Sequence, residues 1–380
     1  MAGTVTSEEL RKLAAFRAEK GCAISVFVDL DPSLAPTPPD IETRVNSLLD
    51  RADKELEERK DSLTRDQREA LKADLQRMRN WFDDGFDRQG AQGVAVFAAG
   101  LDGFWSTHTT ADPVEDAVKL GNELYLAPLA RLADRADSAL VAVVGRERGE
   151  VFRLRGGRLV VIADESEEVP GQHDQGGWSQ ARYERHIDEI VAQHWKRVAE
   201  ILDRCVRRLH GVRVVLIGAE GMRSDFENVL SNEVKGCLAG WANAEAHADA
   251  TALLEAAKPV LDEWWAGREG EILERWREES GRNGRAVTGW QETLEAVSDG
   301  RVELLLVQDG ADEPAYQCPQ CGRVQSTNGS CPLDGAPMES RDGGFDLALH
   351  QTLAHGGSVH VIRGRQDLAP VGGVAALLRF

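Results

Sequence analysis

Between residues 138 and 163 three segments that read as strands, 138–144, 150–155 and 159–163, are separated only by the short links around Arg148-Gly149 and Gly156-Gly157. Links this tight can join antiparallel strands but not parallel ones, because a parallel crossover needs about a dozen residues or more. A polar, Gly-rich segment, 165–180, follows this meander. Next, Ile187, Ile190, Val191, Val198, Ile201, Leu202, Cys205 and Leu209 recur at helical spacing, which predicts a long helix over 181–209. An apolar strand at 212–218 and a helix over 223–239 complete the pattern. A meander followed by strand and helix in alternation requires a mixed sheet covered by helices.

The flanking segments read as α/β units of their own. The first has an amphipathic stretch at 8–20, an apolar strand at 23–30, a Pro-rich loop (Pro32, Pro36, Pro38, Pro39) and two helices within 41–86. Val45, Leu48, Leu49, Ala52 and Leu56 mark one of these helices, and Leu71, Leu75, Met78 and Trp81 the other; strands at 93–99 and 104–107 come next. After Asp249 the order is a long helix to about 280, a helix at 289–298, a strand at 302–308, a cysteine segment, a helix at 345–355, a strand at 359–363 and an apolar end at 374–380. The chain is expected to be α/β with three domains, 1–125, 126–248 and 249–380, a partition that suits 380 residues at roughly 100 to 200 per domain. Trp241, Trp264, Trp265, Trp276 and Trp290 sit in or beside the helices at spacings that suit packing better than base stacking.

Charge narrows the function. With 45 Lys+Arg against 64 Asp+Glu the net charge is −19, which excludes a non-specific coat for DNA or RNA and requires any RNA contact to use a local basic patch. No apolar run reaches the roughly 18 to 20 residues of a membrane span, and the first 21 residues lack the apolar core of a signal peptide, so a cytoplasmic protein with no membrane partner is expected.

The segment most informative about chemistry is His173-Asp174-Gln175-Gly176-Gly177-Trp178-Ser179-Gln180-Ala181-Arg182-Tyr183-Glu184-Arg185-His186. The adjacent Gly176 and Gly177 allow positive φ and a close approach of backbone N–H groups to a ligand. Ser179 stands where a helix N-cap belongs, and Gln180 falls in the first turn, where free N–H groups and the dipole favour an anionic partner. The helix that follows carries Arg182, Arg185, His186, Lys196, Arg197, Arg204, Arg207 and Arg208 off its apolar stripe, a basic face suited to a phosphate backbone. The plainer reading is a Gly-rich hairpin tip and a solvated helix face.

A meander, a Gly-Gly-x-Ser-Gln loop and Ala-Arg-Tyr-x-Arg-His opening a basic helix resemble the central domain of bacterial members of the archaeo-eukaryotic class-1 peptide chain release factor superfamily. The resemblance extends to its release-factor-like peptidyl-tRNA hydrolases of ribosome rescue. It implies an N-terminal docking domain, a central domain carrying the loop, and a C-terminal α/β/α sandwich. It also implies the ribosome, tRNA and rRNA as partners, with a translational GTPase as a further one. In release factors the loop is Gly-Gly-Gln and enters the peptidyl transferase centre. Carried over, Gly176 and Gly177 match the glycine pair, while Trp178 takes the third place and the glutamine arrives as Gln180, as in the rescue branch. Gly176, Gly177, Ser179 and Gln180 are therefore the implied catalytic set. An amide is no strong base, so Gln180 would orient water while backbone N–H groups stabilise the oxyanion. Before residue 125 there is no Asn-Ile-Lys-Ser motif of the kind that reads stop codons. Two functions stay open: hydrolysis of peptidyl-tRNA on stalled ribosomes, or non-catalytic occupation of the tRNA site and peptidyl transferase centre, as in hibernation-type members resembling Balon.

Cys318-Pro319-Gln320-Cys321-Gly322 has the form of half a zinc knuckle, and Cys331-Pro332-Leu333-Asp334-Gly335 repeats the frame with Asp334 in place of a fourth cysteine. Cys318, Cys321, Cys331 and Asp334 are thus a candidate set for structural Zn within a ribbon-like insert, 316–339; the alternative is a knuckle without metal that survives as a rigid turn. No Gly-x-x-x-x-Gly-Lys-Ser/Thr run occurs, and no organic cofactor is expected.

Overall fold

The computed structural model describes residues 6–88, 90–133, 139–155, 157–166, 180–209, 211–245, 247–282, 284–341 and 343–380, with the backbone alone at 7, 133 and 180–188. The chain forms two compact units, one made of Met1–Ala136 with Glu269–Phe380 and the other of Asp137–Arg268.

The first segment runs α1 (Ser7–Ala14), β1 (Ala23–Asp29), α2 (Pro38–Glu58), α3 (Arg65–Asp84), β2 (Gly93–Ala99), β3 (Phe104–Thr110), β4 (Ala117–Gly121) and α4 (Ala127–Ala133). Its antiparallel sheet has the order β3-β2-β1-β4. Strand β1 is apolar except for Ser25 and the terminal Asp29, and it is buried along nearly its whole length because both its faces are covered. Ile24, Val26 and Val28 face the core built with α2 and α3, and Ala23 and Phe27 face the opposite one. Helix α1 is shorter than the expected 8–20, because Ala18 N–H donates to Asn122 O (2.7 Å) and Arg17 bridges to Glu123, which turns that stretch into an extended link.

The second unit contains β5 (Ala139–Val144), β6 (Gly149–Arg155), β7 (Arg158–Asp164), α5 (Gln180–Arg208), β8 (Arg213–Ile217), α6 (Arg223–Val229), α7 (Asn232–Gly236) and β9 (Leu238–Ala242). The strand order is β7-β6-β5-β8-β9, antiparallel from β7 to β5 and parallel from β5 to β9, the expected mixed sheet. Helix α5 covers one face. Leu253, Leu254, Ala257 and Leu261 from the first part of α8 (Ala250–Gly281) cover the other. Where one helix over 223–239 was expected there are two short helices and a strand. Leu230 is extended and Ser231 caps α7 through Val234 N–H (3.2 Å), so the chain turns and Leu238 pairs with Val214.

The last segment supplies β10 (Ala286–Thr288), α9 (Gly289–Ser298), β11 (Val302–Gln308), β12 (Ala315–Gln317), β13 (Val324–Gln325), β14 (Glu339–Arg341), α10 (Gly344–Ala354), β15 (Ser358–Ile362) and β16 (Val374–Leu378). A sheet of order β10-β16-β11-β15 lies between α9 and α10 on one face and the later part of α8 on the other, giving the α/β/α sandwich; β13-β12-β14 form a separate small ribbon. Asp346 Oδ1 accepts Leu126 N–H (2.8 Å) and Ala127 N–H (2.9 Å) at the start of α4, and His350 Nε2 lies 2.8 Å from Leu124 O. Desolvation raises the Asp346 carboxyl above its ordinary range. These contacts and a shared apolar cluster join the first and last segments within one unit.

Candidate functional site

Gly176, Gly177 and Ser179 lie outside the described residues, and so does His173. Gln180 is the first residue of α5, followed in the same helix by Arg182, Arg185 and His186; the backbone of these four is described and their side chains are not. What the structure describes is the two elements that flank residues 167–179, here called the incoming and outgoing feet.

The incoming foot is the end of β7. Glu165 N–H donates to Gly149 O (2.7 Å), Gly149 N–H to Ser166 Oγ (3.3 Å), and Ser166 N–H to Asp164 Oδ1 (3.0 Å). The Ser166 hydroxyl and N–H hold the Asp164 carboxyl below its usual range. The outgoing foot is α5, whose Val191, Trp195, Val198, Ile201 and Leu202 are buried against β5, β6 and β8. Trp195 Nε1–H donates to Gly145 O (2.9 Å), in the same β5–β6 turn that Gly149 closes. Both feet therefore rest on one hairpin.

Two features of this scaffold went unnoticed in the sequence. His194 is fully buried, and among the described residues neither of its ring nitrogens has a hydrogen-bond partner. It packs so closely under Gly149 that a Cβ there would meet its Cε1 at 2.4 Å. Spacing was the available signal, since Val191, His194, Trp195 and Val198 share one helical face. Strand β7 is also the sheet edge. Its Val160, Val161 and Ile162 are exposed by 44%, 52% and 40%, and a register shift opposite Val151/Phe152 interrupts its pairing.

Of the basic residues, Lys196 and Arg204 are exposed, whereas Arg197 is partly buried and pairs with Glu165 (3.4 Å). Arg207 is taken up by Asp203 (2.9 Å) and Glu233 (2.8 Å). The tryptophans serve packing: Trp276 and Trp290 are buried, Trp241 donates to Glu227 Oε1 (2.6 Å), and Arg213 lies 4.2 Å from the Trp264 ring centroid.

The cysteine segment is gathered as its spacing predicts. Cys318, Cys321, Cys331 and Asp334 each offer a ligand atom within 4.8 Å of the others. Its two halves repeat one backbone design. Gly322 N–H donates to Cys318 O (3.0 Å) and Gly335 N–H to Cys331 O (2.9 Å), while Cys318 N–H reaches Arg323 O and Cys331 N–H reaches Ala336 O, both at 2.8 Å. Gly322 (φ 76°) and Gly335 (φ 75°) take the left-handed conformation that each turn requires. The Cys321 and Cys331 sulfurs are 3.5 Å apart, and Asp334 Oδ2 lies 3.3 Å from Cys318 Sγ. Tetrahedral Zn–S bonds of about 2.3 Å set ligand atoms roughly 3.7 Å apart, so this donor set fits one zinc ion with little movement. The Ala336 N–H and the neighbouring Cys321 thiol pull the Asp334 carboxyl down to about 2, keeping it the anion a metal prefers. Cys22, Cys205 and Cys237 are free and partly buried.

Residues 125–261 match the family described as bacterial archaeo-eukaryotic release factor family 10. Peptide chain release factor subunit 1 of Thermoplasma acidophilum is 26% identical over 288 residues, 69% of this chain and 68% of that protein. The crystal structure of archaeal translation termination factor aRF1 aligns over 99% of both chains at 18% identity with a TM-score of 0.27. Ribosome-bound archaeal Pelota, in a structure with ABCE1, aligns over 76% of this chain and 77% of its own at 16% identity with a TM-score of 0.40. Over residues 125–261 the chain is thus similar to that release factor family, and over about two thirds of its length to archaeal release factor subunit 1. Among the described residues no helix is long and apolar enough to cross a membrane.

Proposed function

We propose that this protein enters the tRNA site of stalled ribosomes and hydrolyses peptidyl-tRNA with the loop 176–180. The observation that carries the reading is the Gly-Gly-x-Ser-Gln sequence standing between β7 and α5 of the domain that matches the family. Both feet of the loop share the β5–β6 hairpin, so the first turn of α5 is presented from a rigid base. In this reading the Gln180 amide orients a water whose oxygen attacks the ester carbonyl, and N–H groups around Gly176, Gly177 and Ser179 stabilise the oxyanion. The tRNA 3′ oxygen leaves and takes up a proton. Lys196, Arg204 and Arg208 are exposed cations of α5 available to RNA, joined in this reading by Arg182, Arg185 and His186 earlier in the helix, while Arg197 steadies Glu165. The segments 1–125, 126–248 and 249–380 act as docking, catalytic and partner-facing parts. The four ligands at Cys318, Cys321, Cys331 and Asp334 hold one structural Zn²⁺ that fixes the ribbon.

Trp178 favours a second reading, since a bulky ring in place of the third loop residue suits plugging the peptidyl transferase centre without cleavage. Single-turnover release of labelled peptide from purified stalled ribosomes, with wild type beside Gln180→Ala, separates the two. Hydrolysis predicts a loss of about 100-fold or more in the variant with ribosome binding retained. Binding without release by either protein establishes occlusion, and equal release by both overturns the assignment of Gln180.

A further inference from the structure

The segment before residue 125 holds an open cavity of about 660 Å³, within the range of built ligand pockets, and nothing in the release reading uses it. It lies between the start of α2 and the end of α3. Phe82 and Phe86, whose ring centroids are 5.5 Å apart and which both pack on Trp81, form one wall; Pro36 and Pro38 line the other. Glu42, Asp83 and Asp87 rim it. Among the described residues no hydrogen bond or ion pair engages the Glu42 or Asp83 side chain.

The exposed charges at the rim of this cavity favour a cation. Arg88, its basic residue, is turned away onto backbone carbonyls of Leu30, Ala35 (3.1 Å) and Ala91 (3.2 Å). The start of α2 would ordinarily attract anions, but Pro38 and Pro39 have no N–H to offer and the Thr37 N–H is satisfied by Asp40 (2.9 Å). At the end of α3 there is no basic residue in the last turn; Asp83 and Asp84 stand there instead, against the helix dipole. Acids kept where they weaken their own helix, beside aromatic faces, mark a surface shaped for something other than stability.

We propose that this groove binds an extended, basic segment of a partner protein, with an Arg or Lys head among Glu42, Asp83 and Asp87 and its aliphatic stem on Phe82 and Phe86. Cation–π attraction and stem burial act together there. The negative rim rejects a phosphate backbone, so the occupant is a peptide rather than RNA. The proposal is independent of whether the protein hydrolyses peptidyl-tRNA.

The test is fluorescence anisotropy with the full chain and a fluorescein-labelled peptide of alternating Arg and Pro, at physiological salt. Wild type should bind saturably, Asp83→Lys about tenfold more weakly, and Glu274→Lys, the same charge change at an exposed site outside the groove, like wild type. Asp83→Lys puts a cation at the α3 C-terminus, so its melting temperature should hold or rise, and weaker binding cannot then be ascribed to unfolding. Equal weakening by both reversals would reduce the effect to the net charge of −19 and overturn the site. Absence of saturable binding would overturn it too, as would a short single-stranded RNA that binds wild type more tightly than the peptide and is lost in Phe86→Leu.

Discussion

The two elements that flank residues 167–179 and the cysteine ribbon are held by opposite means. The loop's feet rest on apolar burial. Val191, Trp195, Val198, Ile201 and Leu202 sink into the central core, each contributing on the order of 1.5 to 3 kcal/mol, and a few hydrogen bonds to one hairpin set the direction. The ribbon has little to bury: its cluster consists of Cys318, Cys331, Ala336 and Met338, with Tyr316 against it. Its order comes from two repeated backbone turns and four converging ligand atoms. Burial can fix the base of a segment and leave its tip for chemistry, whereas a ligand cluster fixes the segment from inside.

Removal of a ribbon ligand should produce the largest contrast. With zinc bound as proposed, Cys331→Ser, or a strong zinc chelator on the wild type, should abolish amide exchange protection at 315–341 and leave the core around β5 and β8 protected, because a structural zinc supplies on the order of 10 kcal/mol to so small a module. Loss of protection in both regions would show that the two are not held independently.

Next in size is Gly149→Ala, which drives a methyl to 2.4 Å from His194 Cε1 and 2.8 Å from Val198 Cγ2. Overpacking of this kind should cost about 1 to 3 kcal/mol in chemical denaturation of the central unit and spare the ribbon, with His194→Ala recovering part of it. A smaller loss, about 1 kcal/mol, is expected from Ser166→Ala, which deprives Gly149 N–H of its acceptor. It should show in exchange at residue 149 before it shows in the global transition.

The smallest effect is on pH. The folded Asp164 carboxyl titrates below its unfolded value, so its contribution is present above the ordinary Asp range and is lost as pH falls through the lowered value. Asp164 is exposed, so solvent screening keeps the change slight. A carbon-detected titration of Asp164 with and without Ser166→Ala should move its midpoint towards the ordinary value, and an unmoved midpoint would remove Ser166 as its partner.

Much of this was legible in the residues. Period and turn chemistry predicted β2, α9 and β11 at their observed bounds and the strands of the meander to within a residue or two, because each is a local pattern with a clear stop. Strand β9 was hidden, since Leu238-Ala-Gly-Trp-Ala is short and interrupted by Gly240 at φ 156°, and its apolar residues continue a helical spacing. The cysteine cluster followed from spacing alone. What spacing could not supply was long-range: that His194 would lie under Gly149, that β7 would be an outer strand, and that Asp346 would cap a helix more than two hundred residues earlier in the chain.

That last contact bears on the order in which the protein can be made. The unit built from Met1–Ala136 and Glu269–Phe380 is interrupted by the whole of the other unit, and Phe27, Leu124 and Leu129 share a core with Leu349 and Val361. At about 5 to 20 residues per second, a nascent chain carries the uncovered side of its first sheet for roughly ten seconds or more before its complement leaves the exit tunnel. In that interval the inserted unit can close upon itself, while the first segment waits, half finished, for residues 269–380 to be translated.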